Sequence, residues 1–251
     1  MTVNALVLNH SPWRDYDRMV TLLTPDQGRL DVVARGCRKP KSPLMNATER
    51  FCAGEFSVIE AHGRFTMTDC AISENFYPLR EDYDRLTAGA YILHLLIQSA
   101  PAGQSAHALF HTALRALAFL SYSDLPIPLV IMAFELHYLS LIGQAPHVDT
   151  CVVCGHPFVD ESSTLDLRRG GAVCKNCPAI GKALAHGARR ILLRVPQTQF
   201  DAVSKLPDHP NLPEAQFHTR DFIKYQMDHP PKLWPALGDE EAGEARHGLC
   251  P

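Results

Sequence analysis

The chain has 251 residues, 46% of them hydrophobic, a formal net charge of -3 and eight cysteines. That length supports a buried core and a split into two units, and the charge excludes a globally basic nucleic-acid binder while allowing a local cationic patch. Residues 1–18 show no basic leader followed by an apolar run, and Glu135 and His137 interrupt the apolar segment from Ile127 to Ile142, so neither a signal peptide nor a membrane span is expected.

The first 80 residues read as strands. Val3 to Asn9, Met19 to Thr24, Leu30 to Ala34, Phe56 to Glu60 and Phe65 to Ser73 are short runs rich in Val, Ile, Leu, Phe and Thr. Pro25-Asp26-Gln27-Gly28 and His62-Gly63-Arg64 supply turns between them, with Gly28 suited to a positive φ. Five short strands with one long insertion, Arg35 to Gly54, predict a small closed barrel, and the OB-fold is the commonest such architecture. After Pro78 the period changes. Tyr83, Leu86, Ala90, Leu93 and Ile97 mark a helix face, followed by helices over Ser105 to Leu120 and Ile127 to Ile142, the last apolar nearly all round and so central. Further helices are expected near Ile180 to Ala188, Gln197 to Leu206 and Pro213 to Asp228. The expected division is a barrel over 1–79, a helical domain over 80–230 and a mobile tail over 231–251, rich in Pro, Gly and charge.

Cys151-Val-Val-Cys154 and Cys174-Lys-Asn-Cys177 stand nineteen residues apart. Two C-x-x-C pairs offer four thiolates, the set that closes a tetrahedral structural Zn²⁺ site with no open position, here one ion per chain within a segment over 148–180. Redox dithiols or two disulfides are the alternatives. The other cysteines, Cys37, Cys52, Cys70 and Cys250, show no pairing pattern, which fits reduced thiols and a cytoplasmic protein.

Arg35, Arg38, Lys39 and Lys41 place four cations in seven residues, within a net +4 over residues 29–50, although the first 80 residues as a whole hold ten basic and nine acidic side chains. Such a loop on a barrel can track a phosphate backbone; a merely solvated loop is the other reading. Arg14, Asp15, Asp17 and Arg18 alternate in sign, which suggests a solvated turn with local ion pairs. Trp13, Phe51, Phe56 and Phe65 are candidate base-stacking aromatics, with core packing the other role. No histidine stands at readable spacing from a nucleophile or carboxylate, and no Walker loop, G-x-S-x-G, H-E-x-x-H or dinucleotide fingerprint appears.

Ala5-Leu-Val-Leu8, Asp15-Tyr-Asp-Arg18 leading into Val20-Thr-Leu-Leu-Thr24, Gly28-Arg29, Val33-Ala-Arg-Gly36, Arg38-Lys-Pro-Lys-Ser42, Phe76-Tyr-Pro-Leu-Arg80, Asp84-Arg85-Leu86, Phe134-Glu135-Leu136 and Leu141-Ile-Gly143 follow one another in an order that resembles the bacterial RecO recombination-mediator family. The resemblance covers roughly residues 3 to 195 and is densest in the first 90. It implies an N-terminal OB-fold and an all-α C-terminal domain with an inserted four-cysteine zinc-ribbon-like segment. It also implies a DNA-repair protein without catalytic turnover, acting in the cytoplasm at the nucleoid. Such proteins bind single- and double-stranded DNA, anneal strands coated with single-strand-binding protein, and with RecR help load the RecA recombinase; no small-molecule substrate or membrane is involved. The family's basic surface maps onto Arg35, Arg38, Lys39 and Lys41, with Arg29, Arg14 and Arg18 beside them. Cys37 departs from the small apolar residue usual there and puts a thiol in the cationic loop, either reactive or simply a small side chain. The rival reading is an interaction module whose loop docks an acidic peptide; a zinc enzyme would need an open metal position that four thiolates deny.

Overall fold

A computed structural model describes residues 1–227. The N-terminal strands are β1 (Thr2–Trp13), β2 (Asp17–Thr24), β3 (Gly28–Ala34), β4 (Ala53–Ala61) and β5 (Arg64–Glu74). They close into a barrel in the order β1-β2-β3-β5-β4, with β4 returning to β1 and the β3–β5 pair parallel. Its inward positions, among them Ala5, Val7, Val20, Leu22, Val32, Phe56 and Met67, form one apolar cluster. Leu6, Leu8 and Leu23 point the other way and belong to the helical core. This explains why Ala5 to Leu8 is an unbroken apolar run: side chains alternate across a strand, and here both faces are covered.

The helices α1 (Tyr83–Ser99), α2 (His107–Tyr122) and α3 (Ile127–Leu141) follow. Asp82 caps α1 by accepting from the Arg85 backbone N–H at 2.9 Å. Along α3 every residue from Leu129 to Leu139 is buried, as its all-round apolarity predicts, Glu135 and His137 included. Two contacts fix the barrel to the helices. Gly89 in α1 lies so close that a Cβ there would sit 3.0 Å from the Phe51 ring and 3.2 Å from Leu79. The β2–β3 turn is clamped by the α1–α2 loop: Arg29 N–H donates to Pro101 O at 2.8 Å, Gly103 N–H to Gln27 O at 2.9 Å and Ala106 N–H to Pro25 O at 2.7 Å. Gly28, the turn residue read from sequence, has φ 62°, and a Cβ on it would meet Pro101 O at 2.0 Å.

The C-terminal part departs from its predicted helices in two places. The segment read as a helix over Ile180 to Ala188 splits into β8 (Lys182–Leu184) and α4 (His186–Arg194). Strand β8 completes a three-stranded sheet with β6 (Ser163–Asp166) and β7 (Gly171–Cys174), ordered β7-β6-β8. The cause is non-local: Ser163 pairs with Leu184 and Thr164 with Ala183, and a Cβ on Gly181 would lie 1.9 Å from Leu165 O. The segment over Gln197 to Leu206 forms a 3-10 helix over Phe200–Lys205, and another 3-10 turn, Val195–Gln197, precedes it. Helix α5 (Leu212–Gln226) then closes the fold against α3 and α4. The predicted tail over 231–251 lies outside the described residues.

Candidate nucleic-acid interface and metal centre

The insertion between β3 and β4 is amphipathic in three dimensions. Cys37, Leu44, Ala47 and Cys52 turn inward and join the barrel core, while Arg35, Arg38, Lys39 and Lys41 are exposed. Its backbone is a succession of tight turns, with Lys39 N–H donating to Gly36 O at 3.1 Å, Ser42 N–H to Lys39 O at 3.1 Å and Met45 N–H to Ser42 O at 3.2 Å. These lead into a single 3-10 turn at Asn46–Thr48. Lys41 takes a left-handed φ of 64°. Burying the apolar side chains therefore forces the cations into solvent.

The β1–β2 turn is laced to this loop. Asp17 accepts from the Gly36 N–H at 2.8 Å and the Tyr16 carbonyl from the Arg38 N–H at 3.0 Å. The Lys39 ammonium stands 5.7 Å from the centre of the Tyr16 ring. Arg18 donates to Thr48 Oγ1 at 2.8 Å and Glu49 Oε1 at 2.7 Å. Burial works to raise the Glu49 carboxyl, but hydrogen bonding and charge from Arg18, with His10 adding to both, hold it below its ordinary value. The alternating charges read as a solvated turn with local pairs thus make long-range ties instead: Asp17 and Arg18 fasten the insertion to β2.

The seven predicted DNA contacts consequently fall in two places. Register sets Arg18 opposite Ala34, so Arg18, Arg35, Arg38, Lys39 and Lys41, with exposed Arg14 in the adjoining turn, share one end of the barrel. Arg29 begins β3 at the other end of that strand, where its side chain approaches Asp31 at 3.4 Å. Among the candidate aromatics, Phe51 and Phe56 are core residues, Phe65 packs half-buried on the barrel cluster, and Trp13 is 41% exposed. Tyr16, 52% exposed, was missed because nothing in the sequence shows that its carbonyl holds the basic loop. Cys37 is 1% exposed, and burial pushes its thiol up against the opposing charge of Arg18, so it fills space as a small apolar side chain.

The four sulfurs of Cys151, Cys154, Cys174 and Cys177 all lie within 4.8 Å of one another and can hold a metal ion. Each C-x-x-C turn aims its sulfurs by backbone bonds: Gly155 N–H donates to Cys151 O at 2.8 Å and Cys177 N–H to Cys174 O at 3.1 Å. Cys174 N–H also donates to Cys151 Sγ at 3.3 Å. Burial acts to raise the Cys151 thiol, but N–H groups from Cys174, Cys154 and Val153 outweigh it and bring it down to about 6. A thiolate is thus favoured there before any cation arrives. All four are free cysteines in this structure. One face of the β6-β7-β8 sheet offers Leu165, Ala172 and Leu184 to the helical core, while Val173 and Cys174 face the sulfur cluster. Arg189 in α4, 2% exposed, ties the same module inward by donating to Val148 O at 3.3 Å, Val159 O at 3.3 Å and Glu161 O at 3.5 Å.

Two family models account for almost the whole chain: Recombination protein O N terminal matches residues 1–76, and Recombination protein O C terminal matches residues 80–235. The chain belongs to the RecO family. A DNA repair protein RecO from Acetivibrio thermocellus is 29% identical over 177 residues, 70% of each chain. That of Syntrophomonas wolfei is 30% identical over 173 residues, covering 69% of this chain and 68% of the relative. The Desulforamulus reducens protein is 26% identical over 230 residues, 90% of this chain and 89% of its own. In RecO terms, the N-terminal model spans the barrel and its basic loop, and the C-terminal model spans the helices and the cysteine cluster. No helix among the described residues is long and apolar enough to cross a membrane.

Proposed function

We propose that this chain is a cytoplasmic, non-enzymatic recombination mediator. It binds single- and double-stranded DNA through the basic end of the barrel, anneals strands coated with single-strand-binding protein, and acts with RecR in loading recombinase. The carrying observation is the amphipathic β3–β4 insertion, which seats its apolar side in the barrel and holds Arg35, Arg38, Lys39 and Lys41 outward on a hydrogen-bonded frame. A pre-set row of cations can neutralise phosphates and release condensed counterions with little ordering cost. Annealing then needs no chemistry, because shielding two backbones lowers the repulsion that keeps complementary strands apart. In this reading residues 1–79 contact DNA and residues 80–230 dock the protein partners.

The metal is proposed to be one structural Zn²⁺. Four thiolates at about 2.3 Å from a tetrahedral ion stand about 3.8 Å apart, and the Cys154 and Cys174 sulfurs are 3.8 Å apart. A closed four-sulfur set leaves no position for substrate. Zinc would then brace the sheet that packs into the helical core, and take no part in annealing.

The test is annealing of complementary single strands, pre-coated with single-strand-binding protein, across a salt series. Wild type should accelerate annealing, and the acceleration should fade with salt. Changing Arg35, Arg38, Lys39 and Lys41 to Ala should flatten the slope of log affinity against log salt for single strands by about 3, at roughly 0.7 per phosphate contact. Unchanged annealing and slope in that variant would defeat the proposal, and retained annealing with loss of an acidic partner peptide would support docking instead.

A further inference from the structure

We infer that Tyr16 and Trp13 form a stacking platform for unpaired bases beside the basic loop, so that this end of the barrel distinguishes single strands from duplex. The inference rests on the proposed DNA contact by the loop and adds what the loop itself cannot supply. Lysine and arginine at this site neutralise phosphate on one strand or two; an exposed ring adds a flat apolar face on which an unpaired base can stack.

Three observations single out this pair. First, both rings are open, Tyr16 at 52% and Trp13 at 41% exposure. Among the described residues neither side chain makes a hydrogen bond. Second, the backbone beneath them is fixed. Trp13 pairs in register with Asp17 at the hairpin's end, and the Tyr16 carbonyl accepts from the Arg38 N–H at 3.0 Å. A ring held on such a frame loses little freedom when a base stacks on it. Third, the charge around them suits a nucleic acid. The Lys39 ammonium is 5.7 Å from the Tyr16 ring centre, exposed Arg14 lies two residues before Tyr16, and exposed Arg38 lies across the hydrogen bond, so these three cations outnumber exposed Asp15. Of the other exposed aromatics, Phe217 also faces a cation, Lys182 at 4.2 Å from its ring centre, but it lies on α5, and that lysine is paired with Asp221 at 3.1 Å. Tyr77, Tyr83 and Tyr122 stand with Glu74, Glu81, Asp82, Asp84 and Asp124 at the junction of barrel and helices, where a phosphate backbone would be repelled.

The experiment uses the full, metal-loaded chain and three probes of equal length: oligo-dT, the same oligonucleotide with its central nucleotides abasic, and a duplex, each also titrated with salt. Wild type should bind oligo-dT at least about five-fold more tightly than the abasic strand, since one stacked base contributes that much. Tyr16→Ala with Trp13→Ala should erase that difference while leaving duplex affinity and the salt slope unchanged, and Tyr16→Phe should retain it. The Ala variant keeps the Tyr16 carbonyl, hence the bond that frames the loop. Equal wild-type affinity for oligo-dT and the abasic strand would overturn the inference, as would a Tyr16→Ala, Trp13→Ala variant that binds oligo-dT as wild type or weakens on all probes alike. If the four-cation loop variant leaves affinity and salt slope untouched on every probe, the failure belongs to the loop's role in DNA contact.

Discussion

Changing Glu135 to Gln should make the protein more stable at neutral and alkaline pH. Glu135 lies in the middle of α3, 2% exposed, and accepts from the Tyr91 hydroxyl at 2.6 Å. Burial raises its carboxyl to about 7 against the lowering effects of the Tyr91 hydrogen bond and the charges of Arg220 and Lys224. The ordinary value is 4.5, so between these limits the folded chain holds a proton that the unfolded chain has released. This group's contribution is therefore fully favourable below pH 4.5 and is lost as pH rises toward 7. At about 1.4 kcal/mol per unit, the loss totals about 3 kcal/mol by pH 8. Gln keeps the acceptor for Tyr91 and removes the charge, at the cost of an amide N–H₂ needing its own partners, worth about 1–3 kcal/mol if unmet. That cost does not depend on pH. Urea unfolding of both proteins at pH 5, 6, 7 and 8 should show the stability difference moving by about 2.5 kcal/mol in favour of Gln across the series, part of the loss having already occurred by pH 5. A difference that stays flat from pH 5 to 8 would mean that Glu135 is ionised throughout, and that the burial argument fails.

Gly28→Ala should destabilise the joint between barrel and helices by roughly 1–3 kcal/mol, because a Cβ would meet Pro101 O at 2.0 Å and φ is 62°; Gly63→Ala, also at positive φ but with nothing within 4 Å of its Cβ, should cost only about 1 kcal/mol, and equal melting temperatures for the two would refute the clamp. Cys174→Ser should lose the single metal equivalent and loosen the helical domain, since Ala172 and Leu165 of the same sheet belong to its core; metal analysis and circular dichroism check this, and a metal-free variant with wild-type melting would rule it out. Arg189→Met should cost about 2–4 kcal/mol by stranding the carbonyls of Val148, Val159 and Glu161, read by thermal unfolding with metal bound; a shift within measurement error would show that water replaces the guanidinium.

The barrel was legible because its strands are short runs rich in Val, Ile, Leu, Phe and Thr bounded by real turns: Gly28 and Gly63 do take positive φ. The sulfur cluster was legible because the spacing of two C-x-x-C pairs suits one four-sulfur site, and the four sulfurs do lie within 4.8 Å of one another. Legibility ended where the structure depends on partners distant in sequence. Lys182 to Leu184 has no strand signature of its own and is extended only because Ser163 to Leu165 pairs with it. The charges at residues 14–18 looked like a self-contained turn, yet Arg18 reaches Thr48 and Glu49, some thirty residues away. Tyr16 looked like any tyrosine until its carbonyl was seen holding Arg38.

The barrel's closure bears on where the proposed DNA contact can lie. Its strands close in the ring β1-β2-β3-β5-β4, with β3 and β5 paired only over Val32–Ala34 and Phe65–Met67. The proposed contact is made by side chains. On β1 and β2 the outward Leu6, Leu8 and Leu23 are already covered by helices, and the β2–β3 turn is occupied by its bonds to the Pro101–Ala106 loop. The β1–β2 turn and the β3–β4 insertion remain open, and there the chain concentrates its cations and two exposed rings. The cysteine cluster belongs instead to a sheet whose other face is buried in the helical core. Stripping its metal should therefore lower stability well before it changes the salt slope of DNA binding at the barrel. A slope that collapses on mild chelation while the helices stay folded would show that the two ends are coupled.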